Sequence, residues 1–165
     1  MQKNIILIGM PGAGKSTIGV VLAKLLGYDF LDVDIAIAKK AGKPLQEIIN
    51  TLGVEAFLQL EEEAATEIRV EKTVIATGGS MVLSEKAMAH LKKQGVCVFL
   101  DVPLADLMAR NLNMSTRGIA AEAGVTLEDI FHARQPYYKR YADMRVDCSG
   151  KALEQLAAEI AGAIL

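Results

Sequence analysis

Apolar and polar positions follow two rhythms along this chain. Residues 5–8, Ile-Ile-Leu-Ile, form a continuous apolar run of buried-strand length. Residues 16–26 then place apolar side chains at 18, 21, 22, 25 and 26, a helical period that Gly27 stops. The same reading predicts strands over 28–33, 73–76, 96–100 and 144–147, and helices over 34–40, 45–50, 54–70, 85–94 and 153–164. Ser84 and Gly95 are the expected cap and stop of the 85–94 helix. A further helix starts at Pro103 and turns Leu104, Leu107 and Met108 to the core, and another is capped by Thr126 and runs to about residue 141, packing Tyr137, Tyr138 and Tyr141 onto the body. On the 54–70 helix, Phe57, Leu58, Leu60, Ala64 and Ile68 form the expected buried side, and most of the acidic stripe 61–63 a solvated face, with Glu61 set apart below. The pattern lapses over 111–124, so a lid is expected at about 111–125. Strands alternating with helices predict an α/β three-layer sandwich with a five-stranded parallel sheet and right-handed crossovers.

The turn after the first strand changes that picture most. Gly9, Gly12, Gly14, Lys15 and Ser16 stand at the spacing G-x-x-x-x-G-K-S, with a predicted strand before them and a predicted helix after, which is the context of a phosphate-binding P-loop. The backbone N–H groups of Gly12, Ala13 and Gly14 turn inward around an anion, and the helix start adds its positive dipole end. Lys15 reaches between the β- and γ-phosphates of ATP, the Ser16 hydroxyl ligates Mg²⁺, and Thr17, next along the helix, is a further nucleotide-binding candidate. A glycine-rich turn without a nucleotide accounts for the glycines but not for the lysine and hydroxyl in register.

Length and charge bound the remaining choices. At 165 residues the chain is read as a single domain over 1–165, and 18 basic against 20 acidic side chains give a net charge of −2. That balance supplies no general attraction for nucleic acid or an anionic membrane, so an anionic substrate needs a local site. Cys97 and Cys148 form neither a metal-ligand motif nor a disulfide framework, and Cys97 reads as a small core residue. No signal peptide or membrane span is read, so a cytoplasmic protein is the expectation, and because two-sided coverage of the sheet uses the apolar residues, a monomer is expected.

Transfer of the γ-phosphoryl group also needs a metal site, an oriented acceptor oxygen and exclusion of water. Asp32 and Asp34 end the second predicted strand, and in an extended chain both carboxylates leave on one face beside the P-loop. One serves the metal and the other orients or deprotonates an acceptor hydroxyl; the alternative for Asp34 is the N-cap of the following helix. Arg117 lies in the expected lid, Arg110 on the preceding helix as a contact to adenine or phosphate, and Arg134 is positioned to recognise an acidic substrate, with solvated surface roles the alternative for each. His90 and His132 have no spaced metal partners and read as surface or capping residues.

In this order the motifs resemble the shikimate kinases, P-loop enzymes similar to nucleoside monophosphate kinases that phosphorylate the 3-hydroxyl of shikimate in aromatic amino-acid biosynthesis. The resemblance rests on 9–17, on Phe30-Leu31-Asp32-Val33-Asp34, on Glu55-Ala56-Phe57 with Glu61, on Ala76-Thr77-Gly78-Gly79, on Arg110 and Arg117, and on Arg134-Gln135-Pro136-Tyr137-Tyr138. It implies ATP and Mg²⁺ as cofactors, an acceptor-binding segment at about 34–70, Asp32 with Ser16 on the metal, and Asp34 on the acceptor hydroxyls. It further implies Gly78 and Gly79 beside the substrate, Arg134 on its carboxylate, Glu61 behind the substrate-binding group, Lys15 and Arg117 on the transferring phosphoryl group, and Arg110 on the ATP side. Three positions depart from the family pattern: Leu58 stands where a second carboxylate-clamping arginine is expected, Ser80 replaces the third glycine of the turn, and Gly118 replaces the proline after Arg117. Losing one arm of a two-arginine clamp removes charge-assisted hydrogen bonds that leucine cannot replace. Besides shikimate, the readings carried forward are therefore a sister kinase for another small hydroxylated acceptor and an ATP-binding regulator without transferase activity. A nucleoside monophosphate kinase is less attractive, because 35–71 offers few basic side chains for an acceptor phosphate.

Overall fold

The computed structural model describes residues 3–110 and 124–164. The N-terminal apolar run forms β1 (Asn4–Ile8), buried at every residue. α1 (Lys15–Leu26) follows, then β2 (Asp29–Asp32), α2 (Val33–Ala41), α3 (Leu45–Leu52), α4 (Val54–Thr66) and β3 (Thr73–Ala76). A short 3₁₀ turn (Met81–Leu83) leads to α5 (Glu85–Gln94), β4 (Gly95–Asp101), α6 (Leu104–Arg110), α7 (Leu127–Tyr141), β5 (Met144–Asp147) and α8 (Leu153–Ile164).

The five strands are all parallel, in the order β2-β3-β1-β4-β5. With helices on both faces, the sheet interior is apolar throughout: Ile5 to Ile8, Val74, Ile75 and Cys97 to Leu100 are almost fully buried. Because β3 and β4 pair with opposite sides of β1, the chain switches direction across the sheet there, and the crevice at such a switch is where open α/β sheets take ligands. The P-loop leaves β1 at that place.

Several boundaries move for identifiable reasons. β2 ends at Asp32 rather than running to 33, because the Asp32 carboxylate accepts from the Ile35 N–H and caps α2; Asp34 is therefore not the cap but a residue of the first helical turn. α4 stops at Thr66 rather than 70. The Arg69 guanidinium donates to the Thr66 and Ile68 carbonyls, and the buried Asn4 side chain holds the Val70 carbonyl and the Thr73 N–H, so the backbone polar groups of that turn are committed elsewhere. Met108 and Tyr137 lie exposed instead of in the core, whereas Leu107 and Tyr138 are buried, Tyr138 stacking on Phe99. Ser84 and Thr126 cap α5 and α7 as expected.

Candidate active site

The site begins with a helix that lacks a cap. Gly14, at φ 92°, precedes α1 in the left-handed region and has no side chain to satisfy the first-turn N–H groups, whereas α2, α5 and α7 each carry a side-chain cap. These donors and the helix dipole are left for an anion. Lys15 lies against the same loop, its ammonium donating to the Gly9 and Met10 carbonyls at 2.7 and 2.8 Å. Burial lowers its pKa to about 8, against the pull of Asp34 and with the Arg134 guanidinium adding to the fall. A phosphate brought beside it restores the charge. Arg110 donates to the Gly12 carbonyl at 3.2 Å, which places it at the rim of the loop.

Ser16 and Asp32 meet directly, hydroxyl to carboxylate at 2.5 Å. One hydroxyl and one carboxylate beside an anion cradle are the hard oxygen donors that Mg²⁺ takes when waters and phosphates complete its octahedron. Among the described residues no group of three or more His, Cys, Asp or Glu side chains is arranged to hold a metal.

Opposite the loop, α2, α4, α7 and the turn after β3 contribute the far wall of a cleft of about 270 Å³. Lys15, Ser16 and Thr17 line one end, and Asp34, Phe57, Glu61, Gly78, Gly79, Ser80 and Arg134 the other. Gly78 is there because of space: a Cβ on it would stand 2.7 Å from both Asp34 Oδ1 and Glu61 Oε2. A Cβ on Gly79 would meet Pro11 at 2.7 Å and Arg134 Nη1 at 3.1 Å. The Gly79 carbonyl accepts from the Tyr138 hydroxyl at 2.7 Å, which fixes this turn against α7.

Burial raises the pKa of Asp34 to about 6, with Lys15 opposing the rise. Glu61 rises to about 7, again chiefly through burial, with the Ser80 hydrogen bond acting the other way. Arg134 is 5% exposed and carries its charge into the cleft wall. A buried carboxylate with a raised pKa is suited to accept a proton from a hydroxyl, and a buried guanidinium to pair with an anionic group.

The structure thus brings Gly12, Gly14, Lys15, Ser16, Thr17, Asp34, Glu61, Gly78, Gly79 and Arg134 around one cleft, with Ala13 inside the loop and Asp32 bonded to its serine. Leu58 is not in that wall. It faces an adjoining recess of about 290 Å³ shared with Gln59, Glu62, Leu83 and Ser84, and Phe57 takes the place on the cleft. Arg117, Gly118 and most of the expected lid lie outside the described residues. Sequence reasoning did not assign roles to Phe57 on the cleft, to Tyr138 as the anchor of the Gly79 carbonyl, or to Ser80 as a donor to Glu61. Phe57 and Glu61 stand four residues apart on one helix face, a spacing visible in the sequence.

The chain as a whole is similar to known proteins. The family model described as shikimate kinase matches residues 11–165. The shikimate kinase of Salinispora arenicola is 39% identical over 163 residues, covering 98% of this chain and 97% of that one. The solved structure of shikimate kinase from Acinetobacter baumannii in complex with shikimate superposes with a TM-score of 0.91 at 30% identity, covering 99% of this chain and 93% of that one. Human threonine synthase-like 1 is also 39% identical, over 166 residues and 99% of this chain, and here the chain spans only 22% of the relative's length. A family model matched from residue 11 to the C-terminal residue, on a chain with this loop and this cleft, shows that the protein belongs to the shikimate kinase family.

Proposed function

We propose that this chain transfers the γ-phosphoryl group of ATP to the 3-hydroxyl of shikimate. The observation that carries the reading is the single cleft with an uncapped, lysine-bearing phosphate loop at one end and Asp34 with Arg134 at the other. A phosphate donor and a hydroxylated anionic acceptor are thereby held face to face.

The P-loop N–H groups and Lys15 neutralise the phosphates, and Arg110 steadies the nucleotide at the rim. Ser16 and Asp32 would hold Mg²⁺, which when bound supplies positive charge to the β- and γ-phosphates. Asp34 orients the acceptor hydroxyl and takes its proton as the new P–O bond forms, while the bond to the ADP oxygen breaks and that oxygen leaves with its electron pair. Arg134 pairs with the shikimate carboxylate, and Gly78 and Gly79 let the ring approach the turn. Arg117 is assigned to the transferring phosphoryl group from its sequence position.

Leu58 favours a second reading. Among the described residues lining the cleft Arg134 is the one arginine, so an acceptor without a carboxylate on the Leu58 side is accommodated as well. Coupled ADP release with Mg-ATP decides between them, with shikimate titrated from micromolar to tens of millimolar beside AMP, CMP, UMP and uncharged cyclic polyols. Saturable release with shikimate supports the first reading. Release with a polyol alone replaces it by the second, and acceptor-independent ATP binding without transfer would leave a regulator.

A further inference from the structure

Among the described residues, Glu61 Oε2 is the one buried side-chain oxygen or nitrogen without a hydrogen-bond partner. Glu61 itself is 2% exposed, and its other oxygen, Oε1, accepts from the Ser80 hydroxyl at 2.7 Å. The partnerless oxygen faces Gly78, where the missing side chain leaves room between it and Asp34 Oδ1. A buried carboxylate oxygen is costly to leave unpaired, and in a native protein such a group points to a ligand, a water or a functional role. The neighbouring hydroxyls are committed: Ser80 donates to Oε1 and Ser84 to Glu62. Leu58, in the recess on the other side of the Glu61–Ser80 pair, has no donor to offer.

The chemistry of the surroundings narrows the partner. An acceptor carboxylate would be repelled by Glu61 and by Asp34. An ammonium group would sit in the positive field of Lys15 and Arg134, both of which act electrostatically on Glu61. A neutral donor on a small molecule already lodged against Asp34 meets neither objection, and hydroxyl groups are what the proposed acceptor carries beside the one being phosphorylated.

We propose that Glu61 binds the acceptor directly, Oε2 receiving a hydrogen bond from a second acceptor hydroxyl adjacent to the cleft floor at Gly78, and that Ser80 is the positioning residue that holds Glu61 for this contact. The inference rests on the functional reading for the identity of the acceptor, and it extends that reading from one carboxylate on the acceptor to two. Specificity then comes from a polyol pattern, matched by Asp34 and Glu61 on either side of Gly78, as well as from the arginine.

The test is a double-mutant cycle between protein and ligand, read by calorimetric binding in the presence of Mg-ADP so that no transfer is needed. Wild type, Glu61→Gln and Ser80→Ala are each titrated with shikimate, 4-deoxyshikimate and 5-deoxyshikimate, and melting curves establish that each variant is folded. Glu61→Gln is expected to weaken shikimate about tenfold by replacing a charge-assisted bond with a neutral one. One of the two deoxy analogues, the one lacking the partner hydroxyl, should bind the wild type about tenfold more weakly and lose little further affinity in Glu61→Gln. Ser80→Ala should show a smaller loss with the same analogue dependence. An equal Glu61→Gln loss on shikimate and both analogues would mean that Oε2 is satisfied by water and acts only structurally, and absence of binding by all three ligands would overturn the proposal as well. Turnover of shikimate without the analogue dependence sinks this inference and leaves the functional reading standing. The dependence without turnover does the reverse.

Discussion

Gly78→Ala is a one-carbon perturbation whose consequence follows from two distances. The added Cβ would stand 2.7 Å from Asp34 Oδ1 and from Glu61 Oε2, so reaching an ordinary contact of about 3.4 Å requires each carboxylate to retreat by about 0.7 Å. Neither has easy room. Glu61 is held by Ser80 at 2.7 Å, and Asp34 lies in the first turn of α2, whose start is fixed by the Asp32 cap. A displacement of about 1 Å in a catalytic group costs on the order of 10²-fold, so a retreat of this size should lower kcat/KM for the acceptor on the order of 10- to 50-fold. Overpacking adds a destabilisation of about 1–3 kcal/mol, or a fall in Tm of about 3–10 °C for a domain this long. The phosphate loop is untouched, so ATP affinity should hold. Coupled kinetics, nucleotide titration and thermal melts of the same preparation measure all three. Wild-type kcat/KM in a variant of unchanged Tm would refute the placement of both carboxylates beside Gly78.

Other expectations follow from the same geometry. Lys15→Ala should reduce transfer by about 10³-fold or more while circular dichroism shows a retained fold, since the proposed mechanism has the lysine neutralise phosphate and its structural bonds reach only the Gly9 and Met10 carbonyls. Leu58→Arg should lower the KM for shikimate about tenfold in steady-state kinetics, by extending a guanidinium from the recess behind Glu61 and Ser80 toward the acceptor end of the cleft, and should leave the KM for ATP unchanged. Asp34 and Glu61 have pKa values raised from 3.8 and 4.5 to about 6 and about 7, so the folded state binds more protons than the unfolded one between pH 4 and 7. Their contribution to stability is therefore full at low pH and is lost as pH rises through that window, by on the order of 3 kcal/mol for Glu61, and urea melts should show the decline flattened in Glu61→Gln and in Asp34→Asn.

Much of this architecture is written locally in the chain. Ser84 and Thr126 cap α5 and α7 through hydrogen bonds three residues away, and such short-range chemistry is readable from composition and spacing. The P-loop was legible for the same reason, since its glycines, lysine and serine act within one turn. Asp32 and Asp34 show where local reading divides. Both are plausible caps, and the choice of Asp32 depends on where β2 must end to stay paired with β3, with Asp32 set against Ala76. The end of α4 was hidden because Asn4, more than sixty residues away, claims the polar groups of 70–73. Glu61 sits in a run of three acidic residues that otherwise reads as a solvated stripe; the family resemblance sets it apart, and the four-residue spacing from Phe57 to Glu61 to Ala65, all three buried on one face, is the physical reason it differs. Ser80 stands out as a departure from the family's glycine, but its role is hidden, because its partner is nineteen residues back and meets it only once α4 has packed beside the turn after β3.

The central claim is that Asp34 and the P-loop serve one transfer reaction. The most direct measurement is the movement of label from [γ-³²P]ATP to shikimate under single-turnover conditions, with wild type and Asp34→Asn compared at equal nucleotide occupancy. Label should appear in shikimate 3-phosphate with the wild type, and about 10²-fold or more slowly with Asp34→Asn. Equal transfer rates in the two proteins, or label reaching only inorganic phosphate in both, would contradict the account.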